Sequence, residues 1–483
     1  MKQLPRLTPE NIHRLPANVQ RPNYDRAHIK PGILHLGLGA FHRAHQAVYT
    51  DTALALHGGN WGIVGASLRS EQVAGQLNPQ GGLYTLCCED GQHRQQRLIA
   101  AVQRVIAAPR DPGVLTSTIA DPAIKVITLT ITEKGYCLGA DGWSLDTASQ
   151  AVQDDLAHPE AATSAIGILA RGLQQRQANG GAPLSIISCD NLSDNGRRMQ
   201  RVLGEFVERS SPRLLPWLER SIRFPCSMVD RIVPASSEES LQRQAAQLGL
   251  RDEAAVFTEP FTQWVIEDDF ANDVPDWAGA GARLVDDIRG YETVKLRILN
   301  AAHSAIAYTG LLCGRETVAE VMADPELRRA VENLMKTELA STVEAPPGFQ
   351  LEPYCDQLLI RFDNPRLRHR CAQIAMDGSE KIRQRWLPTL DRLPEASRLL
   401  KFFTLWCFLV LETEQPLQDP RREALLTLRA SKDSLPARLK QLLDCLGIDP
   451  SRDSRWQGRQ QKIEEGFAII ERHGVRDSLT ISS

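Results

Sequence analysis

No stretch of this 483-residue chain stays apolar long enough to cross a membrane, which takes about 20 consecutive apolar residues in a helix. Blocks of like charge are also missing. The 56 basic and 59 acidic residues are dispersed and leave a net charge of −3, so the electrostatic footprint of a nucleic-acid binder is absent. A few local arginines would still be enough to hold a small anion. The ten cysteines form no CxxC pair, and none stands with histidines at zinc-ligand spacing. In a chain of this size, reduced thiols are the simplest reading. The opening residues, MKQLPRLTPENIHRLP, contain no apolar run resembling a secretory signal. The expectation is a cytoplasmic protein without membrane or nucleic-acid partners, monomeric or weakly self-associating, that acts on a small molecule.

With 42% hydrophobic and 24% charged residues, the composition is that of a globular protein, and the length suits two or three domains. The first thirty residues are polar and proline-rich and read as a lead-in arm. Residues 33–36 read as a short buried strand, followed by a helical pattern through Ala44, Ala47, Val48 and Ala55. Further strand-like runs are GIVGASL at 62–68, IKVITLTI at 124–131 and LSIIS at 184–188, with a helical pattern over 161–176. Strands alternating with helices predict an α/β domain with a parallel sheet. From about Tyr291 strand signals become scarce, and amphipathic helices are predicted over 292–312, 324–338 and 397–411. The two predicted domains are therefore 1–290, α/β, and 291–483, mainly helical.

The first strand runs straight into Gly37-Leu38-Gly39-Ala40-Phe41-His42. A dinucleotide-binding turn needs glycine where the chain leaves the strand tightly and where backbone approaches a pyrophosphate. The next helix then offers free N–H groups to the phosphates. Gly37 and Gly39 meet those demands, while His42 stands where a third glycine is expected. At the end of the second strand an acidic residue would bind the ribose hydroxyls and a basic one would tolerate a 2′-phosphate. Arg69 and Glu71 offer both signs, so the choice between NAD and NADP stays open on local grounds. His42 and His45 lie three apart, but no third metal ligand is close in sequence and no HExxH pattern occurs.

The segment YETVKLRILNAAHS, residues 291–304, places Lys295, His303 and Asn300 at roughly 0°, 80° and 140° on a helix turning about 100° per residue. One broad face thus offers an amine, an imidazole and a carboxamide. Alcohol oxidation needs a base for the hydroxyl proton and donors for the developing alkoxide. Asn191 follows an apolar strand closely, and strand ends are where open parallel sheets place their ligands.

Taken together, HLGLGAFHRAHQ, TLTITEKGY, SCDNLSDNG, FPCSMVDRIVP, EPFTQWVIEDDF, YETVKLRILNAAHS and AMDGSEK resemble the polyol-specific long-chain dehydrogenases, the mannitol dehydrogenase family. The resemblance implies a Rossmann-type N-terminal domain, a mainly helical C-terminal domain, NAD as cofactor and no catalytic metal. It implies Lys295 as general base, Asn191 and Asn300 as the oxyanion-stabilising pair, and His303 as a substrate-orienting group. Asp230 and Lys381 would line the same cleft. The turn residues Gly37, Gly39, Phe41 and His42, with Arg69 and Glu71, would bind the cofactor, and Glu133 resembles an acidic residue near the proton exit route. Lys134, Arg297, Arg368, Arg370 and Gln373 look closer to the family's fructuronate reductases than to its mannitol dehydrogenases. A hexuronate brings a carboxylate that arginine binds in bidentate fashion. Arg370 is the first candidate for that contact, then Arg368 and Arg297, although Arg297 falls about 200° from Lys295 on the helix.

Overall fold

Strands covered on both faces read as unbroken apolar runs rather than as alternating ones. The computed structural model describes residues 4–480 apart from Gln92 and Ala396. It forms such strands in β1 (Pro31–Leu36), β2 (Gly62–Ser67), β3 (Val102–Ala107), β4 (Val126–Leu129), β5 (Leu184–Ser188) and the two-residue β6 (Ile222–Arg223). All five pairings are parallel, in the order β3-β2-β1-β4-β5-β6. That order is the doubly wound dinucleotide-binding arrangement, and its crevice opens at the carboxyl ends of β1 and β4, where the winding direction reverses. Leu34, Leu36, Ile127, Leu129 and Ile186 pack on one side against Leu169, Leu173, Val202 and Phe206. Ile33, Ile63, Val126 and Ile187 pack on the other side with Tyr49, Trp264 and Trp277.

Inside this layer, Arg176 is only 1% exposed. Its guanidinium donates to the carbonyls of Ile119, Asp121, Ile124, Ala182 and Pro183 at 2.7–3.1 Å. Those carbonyls lie at the end of the helix Pro112–Ala120 and ahead of β4 and β5, so one side chain satisfies several strand-entry acceptors.

The arm expectation needs correction. Val19–Gln20 is an edge strand of a second sheet, parallel to Arg94–Ile99, which continues through Tyr84–Glu89 to Val256–Thr258. Leu7, Leu15 and Val19 are buried among Leu83, Leu98, Leu248 and Leu250, and the Tyr24 hydroxyl donates to Asp51 at 2.5 Å. The apolar residues of the arm are too sparse to register as a periodic element, yet each finds a partner distant in sequence. A third small sheet joins Ser227–Asp230, Gln263–Glu267 and Arg283–Val285.

The chain divides into two compact units, 1–289 and 290–483. Every regular element lying wholly within the second is helical. Its central rod runs from Arg289 to Leu312, and Ala301 through Gly310 are buried all round rather than on one face. The run is therefore a core helix and not the amphipathic one expected: Ala301, Ala302, Ala305 and Ala307 let neighbouring helices approach closely. Around it lie Leu358, Trp386, Phe403, Trp406, Ile463 and Phe467.

Candidate active site

In the first unit, the turn after β1 is built as its chemistry requires. Gly37 has φ +90°, and a Cβ there would lie 2.2 Å from the Thr130 carbonyl oxygen, so only glycine fits. Gly39 differs. A Cβ on it would meet nothing nearer than the Gly37 oxygen at 3.7 Å, so packing within the protein does not itself require glycine there. His42, in the third-glycine position, is fully buried and stacks on His35 with ring centroids 3.5 Å apart. Both His42 ring nitrogens lack a protein partner, and burial above all, then His35, Arg43 and His45, holds the ring well below its usual pKa. His35 stands between the Thr128 and Thr130 hydroxyls at 2.8 and 2.9 Å. Two neutral imidazoles thus underpin the turn.

The expected single helix is broken at His45 (φ −126°, ψ −91°), between Ala40–Ala44 and Gln46–His57. The His45 ring reaches the Gln263 carbonyl at 2.8 Å and stacks on Phe41 at 5.1 Å. Among the described residues, no group of three or more His, Cys, Asp or Glu side chains is placed to hold a metal ion. Arg69 and Glu71 are exposed just past the end of β2. Past β4, Thr132 takes φ +65° and the exposed Glu133 opens a short turn, Glu133–Tyr136, that ends on the buried Tyr136. Asn191 is exposed three residues beyond β5, and Asp230 is buried at the end of Ser227–Asp230.

In the second unit, the central rod changes geometry where the chemistry is expected. Lys295–Leu299 is a π-helical turn, with the Asn300 N–H bonded to the Lys295 carbonyl. A π-turn spreads i→i+5 bonds over a wider circuit and recurs at functional sites, so uniform 100° steps misplace Lys295 relative to Asn300 and His303. Just past the wide turn, Arg385 donates to the Asn300 carbonyl at 3.0 Å and to the Ser304 hydroxyl at 2.9 Å. His303 is 8% exposed and lies against Phe362 at 4.7 Å and His369 at 5.3 Å. Its Nε2 has no protein partner. Burial first, then His369, Arg361, Arg385 and Lys295, holds His303 well below its ordinary pKa. Lys381 donates to the Ile374 carbonyl at 3.0 Å. Burial, then Arg385, brings its ammonium down to about 8, against the opposing pull of Asp377 and Asp419.

The arginines expected at a substrate carboxylate have the following partners in the structure. Arg297 is buried and donates to the Thr342 and Thr389 hydroxyls at 3.1 and 3.0 Å. Arg368 and Arg370 are exposed and share Glu316, at 3.9 and 3.3 Å. Between them, His369 turns inward to His303. Arg368 takes φ +43°, and the two arginines on either side of His369 stay exposed. His369 is not legible as a site residue in the sequence, because LRHR carries no periodicity that separates it from its neighbours.

Residues 31–279 match the Rossmann domain of mannitol dehydrogenases and residues 287–420 match their C-terminal domain. The chain belongs to the mannitol dehydrogenase family. It is 37% identical over 480 residues to the uncharacterized oxidoreductase YeiQ of Escherichia coli (strain K12), covering 96% of this chain and 97% of that one. The D-mannonate oxidoreductase of the same strain is 41% identical over 374 residues, 76% of this chain and 77% of that one. The polyol:NADP oxidoreductase of Gluconobacter oxydans (strain 621H) is 38% identical, covering 81% of this chain and 82% of its own. Among solved structures, a substrate-free D-sorbitol dehydrogenase superposes with TM-score 0.89 at 32% identity, covering 98% of this chain and 100% of that one. Mannitol 2-dehydrogenase of Pseudomonas fluorescens, in ternary complex with NAD and D-mannitol, gives TM-score 0.85 at 31% identity, covering 98% and 99%.

Proposed function

We propose that this family member reduces the ketone of a hexuronate, fructuronate, to mannonate with NADH, and runs the reverse oxidation at alkaline pH. The observation that carries the reading is electrostatic: after burial and His369, the groups that depress the buried His303 are the cations Arg361, Arg385 and Lys295. Such surroundings favour an anionic substrate over a neutral one. The 41% identity to a D-mannonate oxidoreductase supports the same choice.

Lys295 acts as the acid–base group, giving a proton to the carbonyl oxygen on reduction and removing it on oxidation. Asn300 and Asn191 donate amide hydrogens to the oxygen as negative charge develops on it. His303, neutral and with Nε2 unpartnered, orients substrate hydroxyls, and Asp230 contributes to the same recognition. Because Arg297, Arg368 and Arg370 are otherwise engaged, the carboxylate contact passes to Lys381. Gly37 to His42 would hold the dinucleotide, Gly39 leaving room for its phosphates, and Glu133 serves the proton route. Bound there, NAD supplies or accepts the hydride. Glu71 at the ribose favours NADH, and Arg69 makes that preference incomplete.

The test is a panel of fructuronate, tagaturonate, fructose, mannitol and arabinitol with each cofactor. Fructuronate with NADH should give the highest kcat/KM. A higher value for mannitol or fructose would install the neutral-polyol reading, which the solved mannitol 2-dehydrogenase makes the natural alternative. A preference for NADPH of about tenfold or more would show that Arg69 governs the cofactor end.

A further inference from the structure

We infer that Asp190 is a positioning residue for this reduction: its carboxylate ties the chain after β4 to the end of β5 and fixes the backbone from which both Glu133 and Asn191 project. The inference rests on the function proposed above for its catalytic consequence, and on the geometry alone for the clamp.

Asp190 is the second residue beyond β5, and among the described residues no cation pairs with it. Its Oδ2 accepts from the Ile131 N–H at 2.8 Å and from the Tyr136 hydroxyl at 2.7 Å, and its Oδ1 accepts from the Thr132 N–H at 2.9 Å. Tyr136, fully buried, also meets the Ser188 hydroxyl at 2.5 Å. The main chain of Asp190 is held as well. Asn195, fully buried, donates to the Asp190 carbonyl at 3.2 Å and to the Ser227 carbonyl at 2.7 Å, while its own oxygen accepts from the Ser227 N–H at 3.0 Å. The Ser227 hydroxyl closes the circuit on the Ser188 carbonyl at 2.6 Å.

Two features make this more than a loop anchor. Three donors converge on one side chain, and only a carboxylate is acceptor at both oxygens. An amide would aim its own N–H at one of the donors. Thr132 takes φ +65°, a region β-branched residues enter only when their surroundings hold them there. Asp190 bonds the amide of Thr132 and the amide before it, and Glu133 is the next residue along. Releasing the clamp lets Thr132 return to extended backbone and carries Glu133 with it, while Asn191 loses its fixed neighbour.

The experiment uses the full-length protein with Asp190→Asn and Tyr136→Phe. Hydrogen exchange is read over 131–136 and 188–192, the NADH dissociation constant is measured, and kcat is measured with fructuronate and with 4-deuterated NADH. For Asp190→Asn, exchange over 131–136 should quicken by about tenfold or more while the rest of the sheet keeps its protection. The kcat should fall by about ten- to a hundredfold, as expected of misplaced catalytic groups, with NADH affinity within about threefold and a larger isotope effect. Tyr136→Phe, which removes one donor of three, should show a smaller version of both changes. Unchanged exchange and kcat in both variants would overturn the inference, and so would protection lost uniformly across the sheet. If Asp190→Asn does not fold, Tyr136→Phe decides alone by the same two readings. If the unmodified protein reduces no sugar, the proposed function fails, and the exchange data still decide the clamp.

Discussion

Replacing Lys381 by methionine removes the partly buried charge to which the proposed function assigns the substrate carboxylate. Its ammonium makes a single bond, 3.0 Å to the Ile374 carbonyl, and titrates near pH 8 because burial and Arg385 disfavour the charged form. The sign follows directly. Below pH 8 the group is cationic and binds the carboxylate. Above it the free enzyme loses the charge, and the KM for fructuronate climbs by up to about tenfold per pH unit until the contact is lost. Carboxylate binding favours the ammonium, so the corresponding break in kcat lies at higher pH. A charge-assisted contact of this kind contributes about 1.5–3 kcal/mol, roughly ten- to a hundredfold in affinity. Lys381→Met should therefore raise the KM for fructuronate by that factor at pH 7, flatten its pH dependence, and leave fructose nearly unaffected. Arg370→Ala, which breaks only an exposed pair with Glu316, should change KM by less than about threefold, since such pairs are weak. Steady-state kinetics with both sugars from pH 6 to 10 is the assay. An equal rise for fructose and fructuronate, or an unchanged pH profile, would refute the reasoning.

Lys295→Ala should lower turnover by at least about a hundredfold, the usual scale for losing an acid–base group, with the thermal transition and NAD affinity nearly unchanged. Gly37→Ala places a Cβ 2.2 Å from the Thr130 oxygen at φ +90°. It should cost about 2–4 kcal/mol of stability, read by thermal unfolding. Arg176→Met strips five carbonyls of their shared donor and should cost at least about 3 kcal/mol in denaturant titrations. His35, His42 and His303 are held neutral by burial, with pKa values depressed below the ordinary one. The unfolded chain thus binds protons that the folded one refuses below pH 6.5. Stability is full above that pH and should fall on acidification by about 1.4 kcal/mol per pH unit for each histidine, visible as proton uptake on unfolding.

The strands β1, β2, β4 and β5, the glycine turn and the helical second half were legible because their causes are local. A run buried on both faces needs consecutive apolar residues, and a tight turn at φ +90° needs Gly37. The edge strand β3 was missed because Gln103 and Arg104 interrupt its apolar pattern, and β6 is only two residues long. The N-terminal arm is legible as a segment but its packing is not, because Leu7 and Val19 are buried by Leu83, Leu98 and Leu250, far along the chain.

The chemistry-bearing residue types could be singled out from the segments that carry them, but their surroundings could not. Whether an arginine is free for a ligand depends on which acceptor folding brings to it. Thr342 and Thr389 occupy Arg297, and Glu316 draws off Arg368 and Arg370. The Asn300 carbonyl, just past the π-turn at Lys295, is held by Arg385, 85 residues away. The depressed titration of Lys381 and His303 comes first from burial, which tertiary packing sets, and then from neighbouring charged and titratable groups: Arg385 for Lys381, and His369, Arg361, Arg385 and Lys295 for His303. Composition and periodicity determined which groups this protein has to work with. Which of them are neutral, held or available was decided only when the sheet order and the helix packing set their neighbours.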